Sequence, residues 1–224
     1  MEITSDTKIY AGANEIAKVY KGSESIYNHI TLPYIPLNYI ESTGTQYINA
    51  NLPNNTSGFK VELKFQFTDD RNRQFIFGAE GSNPYYRDYL KRESPILIDV
   101  GAYMYNGVNF SLVVGTTYEV VVKTLGNRET SLTIDNESVW STTEYLSNKR
   151  TELTPYIFAL NQRGKPLQNE FAYMKLYYIR FYDRDDNILR NFIPVKDLNN
   201  VPCLYDKVSE TFFYNLGTES FLYG

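Results

Sequence analysis

Phe59-Lys60-Val61-Glu62-Leu63-Lys64-Phe65-Gln66-Phe67 alternates apolar with polar side chains along its whole length. A period of two is that of a strand, so Val61, Leu63, Phe65 and Phe67 are expected on one face, turned toward a core. Outward from this stretch, short apolar and aromatic runs recur at 39–48, 74–78, 96–100, 109–114, 118–124, 131–134, 138–140, 156–160, 171–182 and 188–195, with a closing pair at 211–214 and 220–223. Turn signals separate them, among them Gly126-Asn127, Asp135-Asn136 and Asp183-Arg184-Asp185-Asp186-Asn187. So many short strands in one region predict an all-β, antiparallel two-sheet β-sandwich over 39–224 rather than two domains. Helical periodicity is scarce. Residues 83–93 read as a helix-like or irregular insertion, and 142–152 have room for a short helical turn.

The bulk composition agrees. A chain of 224 residues can bury a self-sufficient core, and 42% hydrophobic with 21% charged residues places it among ordinary globular proteins. Its 21 Tyr and 13 Phe against a single Trp favour pleated, half-buried surfaces. The formal net charge is −4 and no run of Lys or Arg exceeds pairs such as Lys91-Arg92, so no nucleic-acid partner is expected. No window approaches a membrane span of about 18 apolar residues, and the opening MEITSDTKIY carries acids where a secretory leader would be basic. Neither a membrane partner nor an export signal is expected. Cys203 stands alone, which rules out an internal disulfide and a cysteine-based zinc site.

The N-terminal region carries a ten-residue repeat. Lys8-Ile9-Tyr10-Ala11-Gly12-Ala13 returns as Lys18-Val19-Tyr20-Lys21-Gly22-Ser23, each copy followed by an Ile at the same offset, Ile16 and Ile26. Apolar runs punctuated by Gly12-Ala13-Asn14-Glu15 and Gly22-Ser23-Glu24-Ser25 predict a three-strand β-meander over 1–30. Three short strands bury too little apolar area to offset chain entropy, so the segment needs a partner surface. Ile9, Tyr10, Val19, Tyr20, Ile26 and Tyr27 are the residues expected to dock there. Pro33 and Pro36 bias 31–38 to extended backbone, the best candidate for a linker.

Several segments carry a family likeness. These are Tyr156-Ile157-Phe158-Ala159-Leu160-Asn161, Met174 to Asp183, Leu189-Arg190-Asn191-Phe192-Ile193-Pro194-Val195, Leu204-Tyr205-Asp206-Lys207-Val208, and Phe212-Phe213-Tyr214-Asn215-Leu216-Gly217-Thr218 with Phe221. Together they resemble the concanavalin A-like or laminin G-like jelly-roll domains of phage and prophage virion structural proteins. Tyr39-Ile40-Glu41-Ser42-Thr43-Gly44-Thr45-Gln46-Tyr47-Ile48 is similar to the opening strand region of the same group. The Lys-x-Tyr-x-Gly repeats resemble segments that precede such domains. The resemblance implies a lectin-like sandwich, a structural or adhesive role, and a place on a virion as a capsid decoration, head fibre or tail appendage. Its implied partners are other virion proteins and further copies of the chain, a trimer being the common arrangement in fibres; the resemblance supplies no ligand, and a host-surface glycan is a separate expectation for the loops. A stand-alone carbohydrate-binding module is the alternative. In this group the motifs define the fold: the residues of Leu204-Tyr205-Asp206 and Phe212-Phe213-Tyr214 suit strands, and Asn215-Leu216-Gly217-Thr218 suits a hairpin turn.

The search for chemistry returns no catalytic set and no cofactor or metal site. His29 lies far in sequence from any Ser elbow or Asp partner. A jelly-roll glycosidase needs two carboxylates facing a sugar, and no Glu-x-Asp-x-Glu pattern occurs on an expected strand. Asp69-Asp70 and Asp185-Asp186 are adjacent pairs in turns, where neighbouring side chains diverge. Asp183 to Asn187 offers the first half of a calcium loop, but Ile188 and Pro194 stand where Gly and Glu are required, and a hairpin turn explains the same residues. Trp140 reads as core. For adhesion, Tyr85, Tyr86, Arg87 and Tyr89 in the 83–93 insertion form a candidate glycan surface, because Tyr offers a flat apolar face with a polar tip. Asn161 and Arg163, in the loop Asn161-Gln162-Arg163-Gly164-Lys165, are a second candidate.

Overall fold

A computed structural model describes residues 10–11, 14–15, 18–21, 24–28, 32–52, 59–81, 87–93, 96–100, 106–108, 110–124, 130–142 and 151–224. The chain divides into two compact units, 1–35 and 36–224.

In the first unit, each copy of the repeat opens its own antiparallel pair. Tyr10–Ala11 pairs with Asn14–Glu15, and Lys18–Lys21 with Glu24–Asn28. The three-strand meander is therefore corrected to two hairpins. Among the described residues no ladder joins Asn14–Glu15 to Lys18–Lys21. Tyr10, Val19, Tyr20, Ile26 and Tyr27 all lie on these strands, while Ile9 and His29 lie outside the described residues.

The second unit is a sandwich of two sheets in which antiparallel pairing dominates. One sheet runs Glu137–Thr142, Thr130–Ile134, Thr117–Thr124, Phe59–Phe67, Tyr173–Tyr182, Ile188–Lys196, Pro202–Asp206, Thr211–Phe213. Ile40–Thr43 pairs with the start of Tyr173–Tyr182, and Leu222–Tyr223 lies against Ile40–Thr43. The other sheet runs Asn106–Val108, Ile96–Val100, Arg87–Arg92, Gln74–Glu80, Tyr156–Ile157, Ile48–Asn49, with Asn161–Gln162 parallel to the end of Gln74–Glu80.

The period-two face of Phe59–Phe67 behaves as expected. Val61, Leu63, Phe65 and Phe67 are wholly buried, in one cluster with Met174, Leu176, Ile179 and Phe181 from the same sheet and Ile76, Leu90, Ile48 and Ile157 from the opposing one. Phe77 and Phe181 meet edge to face between the sheets, centroids 5.9 Å apart. Trp140 is half-buried against this core, as expected. Cys203 is buried in Pro202–Asp206, and burial, reinforced by the nearby charge of Asp197, pushes its thiol up to about 12, so it stays a neutral packing group.

Loop carboxylates hold the turns. Asp183 Oδ1 accepts the N–H groups of Asp185 and Asn187, closing the expected hairpin between Tyr173–Tyr182 and Ile188–Lys196. The buried Asp206 accepts the N–H groups of Asn191, Val208 and Ser209 and the Ser209 hydroxyl, closing the turn between Pro202–Asp206 and Thr211–Phe213.

Five local expectations change. The 83–93 insertion contains a strand, Arg87–Arg92, hidden from pattern reading by a bulge at Leu90/Lys91 that leaves Tyr89, Leu90 and Lys91 all buried in succession. The run at 109–114 is not a strand in its described part. Leu112 enters the core from an irregular segment, and the Val113 N–H donates to the Tyr118 hydroxyl (3.0 Å). The 156–160 run ends as a strand at Ile157, because Phe158 adopts φ +70° and turns the chain. The linker 31–38 is bonded to the sandwich in its second half, Leu37 N–H to the Pro194 carbonyl (3.1 Å) and Asn38 N–H to the Gly224 carbonyl (2.6 Å). Finally, Thr211–Phe213 and Leu222–Tyr223 do not form a closing hairpin: the former pairs with Pro202–Asp206 and the latter with Ile40–Thr43. In the 142–152 segment, residues 143–150 lie outside the described residues and 151–152 are not helical.

Candidate functional site

The loop that follows Ile40–Thr43 is folded around one side chain. Gln46 is fully buried, and its Oε1 accepts the N–H of Thr43 (2.8 Å) and of Thr45 (3.3 Å) and the Ser42 hydroxyl (3.1 Å). Its Nε2 donates to Thr43 Oγ1 (3.0 Å) and to the Ser220 carbonyl (3.2 Å), so both amide protons are used. Gly44 permits the tight path with φ +94°, where a Cβ would also overlap the Tyr173 ring.

The 215–218 segment docks on this loop. Asn215 Oδ1 accepts the Tyr47 N–H (3.1 Å) and the Gly217 N–H (2.9 Å), the Leu216 N–H donates to the Tyr47 carbonyl (2.9 Å), and the Thr45 hydroxyl donates to the Thr218 carbonyl (2.9 Å). Gly217 comes so close to the Thr45 carbonyl that a Cβ there would overlap it.

Across from these loops lies 69–73. The buried Gln74 donates to the carbonyls of Asp69 (3.1 Å) and Arg71 (2.6 Å), and Arg92 Nη1 donates to the same two oxygens. Asp69 then grips Arg71 through two side-chain bonds, Nε to Oδ1 and Nη2 to Oδ2, both 2.8 Å, and accepts its backbone N–H. Those bonds from Arg71 hold the Asp69 carboxyl down at about 2. The Arg71 guanidinium lies over the Tyr173 ring, 3.6 Å from its centroid.

Between these walls opens a cleft of about 570 Å³, inside the range of about 300–1,000 Å³ usual for ligand pockets. Tyr47, Phe171 and Tyr173 supply aromatic surface, Arg71 a fork of donors, Gln168 and Asn169 exposed amides, Thr45 and Thr218 polar groups, and Leu216 an exposed apolar edge. Tyr47 is braced between Tyr156 and Phe171, at centroid distances of 4.9 and 6.1 Å. No Asp or Glu is among the described lining residues. The set suits sugar recognition: flat rings for the apolar face of a pyranose, with donors and acceptors at the rim for hydroxyls.

No protein-family model matches the chain, and no curated protein sequence matches it. Solved structures do. A protein of Bacteroides ovatus described as carbohydrate binding superposes with a TM-score of 0.60 at 11% identity, over 88% of this chain and 61% of that one. The fold is a lectin-like jelly roll. The CBM40 domain of a Ruminococcus gnavus sialidase follows at TM-score 0.51 and 11% identity, over 70% of this chain and 92% of that one. The NanB sialidase of Streptococcus pneumoniae matches at TM-score 0.51 and 10% identity, over 87% of this chain and 39% of that one. The chain thus spans about three fifths of the Bacteroides protein, and at these identities the likeness is one of fold.

The residues singled out from sequence fall elsewhere. Tyr85 and Tyr86 lie outside the described residues, and Arg87 begins the strand Arg87–Arg92. Tyr89 is corrected from an exposed contact to a core residue: it is 5% exposed and meets Phe75 edge to face at 5.1 Å. Asn161 is likewise corrected, being buried with Nδ2 donating to the Thr154 carbonyl (2.8 Å) and Oδ1 accepting the Gly164 N–H (2.9 Å), which consumes it in shaping a turn. Arg163 is exposed at the tip of that turn and does not line the cleft. The cleft residues were in plain view as motifs: Gly44 to Tyr47 and Leu216 to Thr218 sit in segments read as fold-defining, and Arg71 follows the Asp69-Asp70 pair read only as turn acids. The missing signal was the pairing of the two motifs, 168 residues apart at the Tyr47–Asn215 bond.

Proposed function

We propose that the sandwich is a carbohydrate-binding module and that its ligand occupies the cleft bounded by Tyr47, Arg71, Phe171, Tyr173 and Leu216. The observation that carries this reading is the convergence of three rings, an anchored arginine and two exposed amides in one cleft whose described lining contains no carboxylate. A glycosidase requires a carboxylate pair across the sugar, so the lining supports binding rather than cleavage. The carbohydrate-binding neighbour in fold points the same way. Tyr47→Ala removes one stacking face and is expected to weaken glycan binding about five- to 150-fold, on the scale of the roughly 1–3 kcal/mol that a nucleic-acid base gains by stacking on an aromatic ring. The measurement is a glycan array followed by titration calorimetry of wild type and variant. Equal affinity in both would remove the cleft from consideration.

A second role is compatible with the first and rests on the N-terminal unit. Its two hairpins, with strands of two to five residues, are too small to be stable alone, which supports a segment that attaches the module to a larger assembly. Attachment to a phage particle is the form of this role that the repeat's likeness to virion segments suggests. Purified particles analysed by mass spectrometry should then contain the chain, and particles lacking it would leave the hairpins to another partner.

A further inference from the structure

The charge arrangement around the cleft narrows the ligand class, given the carbohydrate-binding reading. Arg71 is the sole Lys or Arg among the described lining residues, and it is paired with Asp69. Its guanidinium shares two parallel 2.8 Å bonds with Asp69, a bidentate geometry that uses two of its five donors and offsets its charge. The supporting shell is balanced too. Arg73 pairs with Glu170, and the buried Lys91 bridges Glu170 (3.0 Å) and Glu93 (3.1 Å). Arg92 directs Nη1 at the carbonyls of Asp69 and Arg71, with Asp70 beside them in the sequence. Arg71, Arg73 and Lys91 are thus each paired with a carboxylate, of Asp69, Glu170 or Glu93.

We propose that the cleft selects neutral saccharides and discriminates against sugars that carry a carboxylate. A vicinal pair of hydroxyls can accept from the free edge of Arg71 and donate to the amide oxygens of Gln168 and Asn169 without displacing the Asp69 bonds. A carboxylated sugar at the same edge would approach the Asp69 carboxylate, which stays ionised at every working pH because Arg71 holds it near 2. It would either meet that charge or have to break the Arg71–Asp69 fork, and both outcomes weaken binding.

The test uses the full chain on an array of neutral oligosaccharides and of the same oligosaccharides capped with one carboxylated sugar, followed by titration of the best pair. Wild type should bind the neutral member about tenfold or more tightly than its capped counterpart, the lower range of what opposed like charges cost. Affinity for the neutral member should not change with added salt. Asp69→Asn keeps an oxygen for the Arg71 N–H and removes the charge, so the gap should narrow or reverse, provided its melting matches wild type. Equal or tighter binding of capped members by wild type overturns the selectivity, as does an unchanged gap in Asp69→Asn. An array blank for both sets overturns the carbohydrate reading itself, a result distinct from binding with the wrong preference.

Discussion

Replacing Gln46 by Ala should lower the melting temperature by several degrees and abolish glycan capture. The side chain accepts two backbone N–H groups and a hydroxyl and donates to Ser220, all within a buried or half-buried loop. Each buried partner left unpaired costs about 1–3 kcal/mol. In a chain of this size about 1 kcal/mol moves Tm by roughly 2–4 °C. Function should suffer more than stability, because the Thr43 to Tyr47 loop is one wall of the cleft and carries the Tyr47 ring. Thermal melting and array binding of the variant are the measurements. A variant that melts with wild type and keeps its ligand would show that the loop holds its shape without this hub.

Gly217→Ala is the second large effect, and it acts through backbone rather than through lost hydrogen bonds. The added methyl would overlap the Thr45 carbonyl oxygen, which cannot swing aside as a flexible side chain can. Overpacking of this kind costs about 1–3 kcal/mol. The 215–218 segment must lift from the Gly44 to Tyr47 loop, breaking the bonds from Tyr47 to Asn215, from Leu216 to Tyr47 and from Thr45 to Thr218. The expected result is faster amide exchange confined to 44–47 and 215–218, a Tm several degrees lower, and loss of ligand binding. Wild-type exchange in both segments would contradict the close approach.

These two variants sit in stretches where sequence reading and structure part company in an instructive way. Glu41 to Tyr47 and Asn215 to Thr218 were legible as motifs, although the hairpin turn expected at Asn215 to Thr218 is a docking segment. Their shared position on one cleft was not legible. A tight turn and a docking loop use the same Asn, Gly and Thr chemistry. The closing hairpin was expected because 211–214 and 220–223 are neighbours in sequence, yet Leu222–Tyr223 finds Ile40–Thr43 instead. Tyr89 went astray for another reason: a bulge breaks the period of two, so a buried strand in 87–92 looked like an exposed aromatic loop.

The alternation in Phe59–Phe67, the spacing of turn residues and the aromatic load were enough to determine an antiparallel sandwich, because burial of a strand face is a property of local pattern and composition. The repeat was legible without its surroundings, since a recurring Lys-x-Tyr-x-Gly is a property of the sequence alone. The cleft was decided by the tertiary structure alone. Tyr47, Arg71, Phe171 and Leu216 come from four separate loops, and hydrogen bonds between segments up to 174 residues apart bring two of those loops together, as with Gln46 and Ser220. No periodicity along the chain encodes a meeting of that kind.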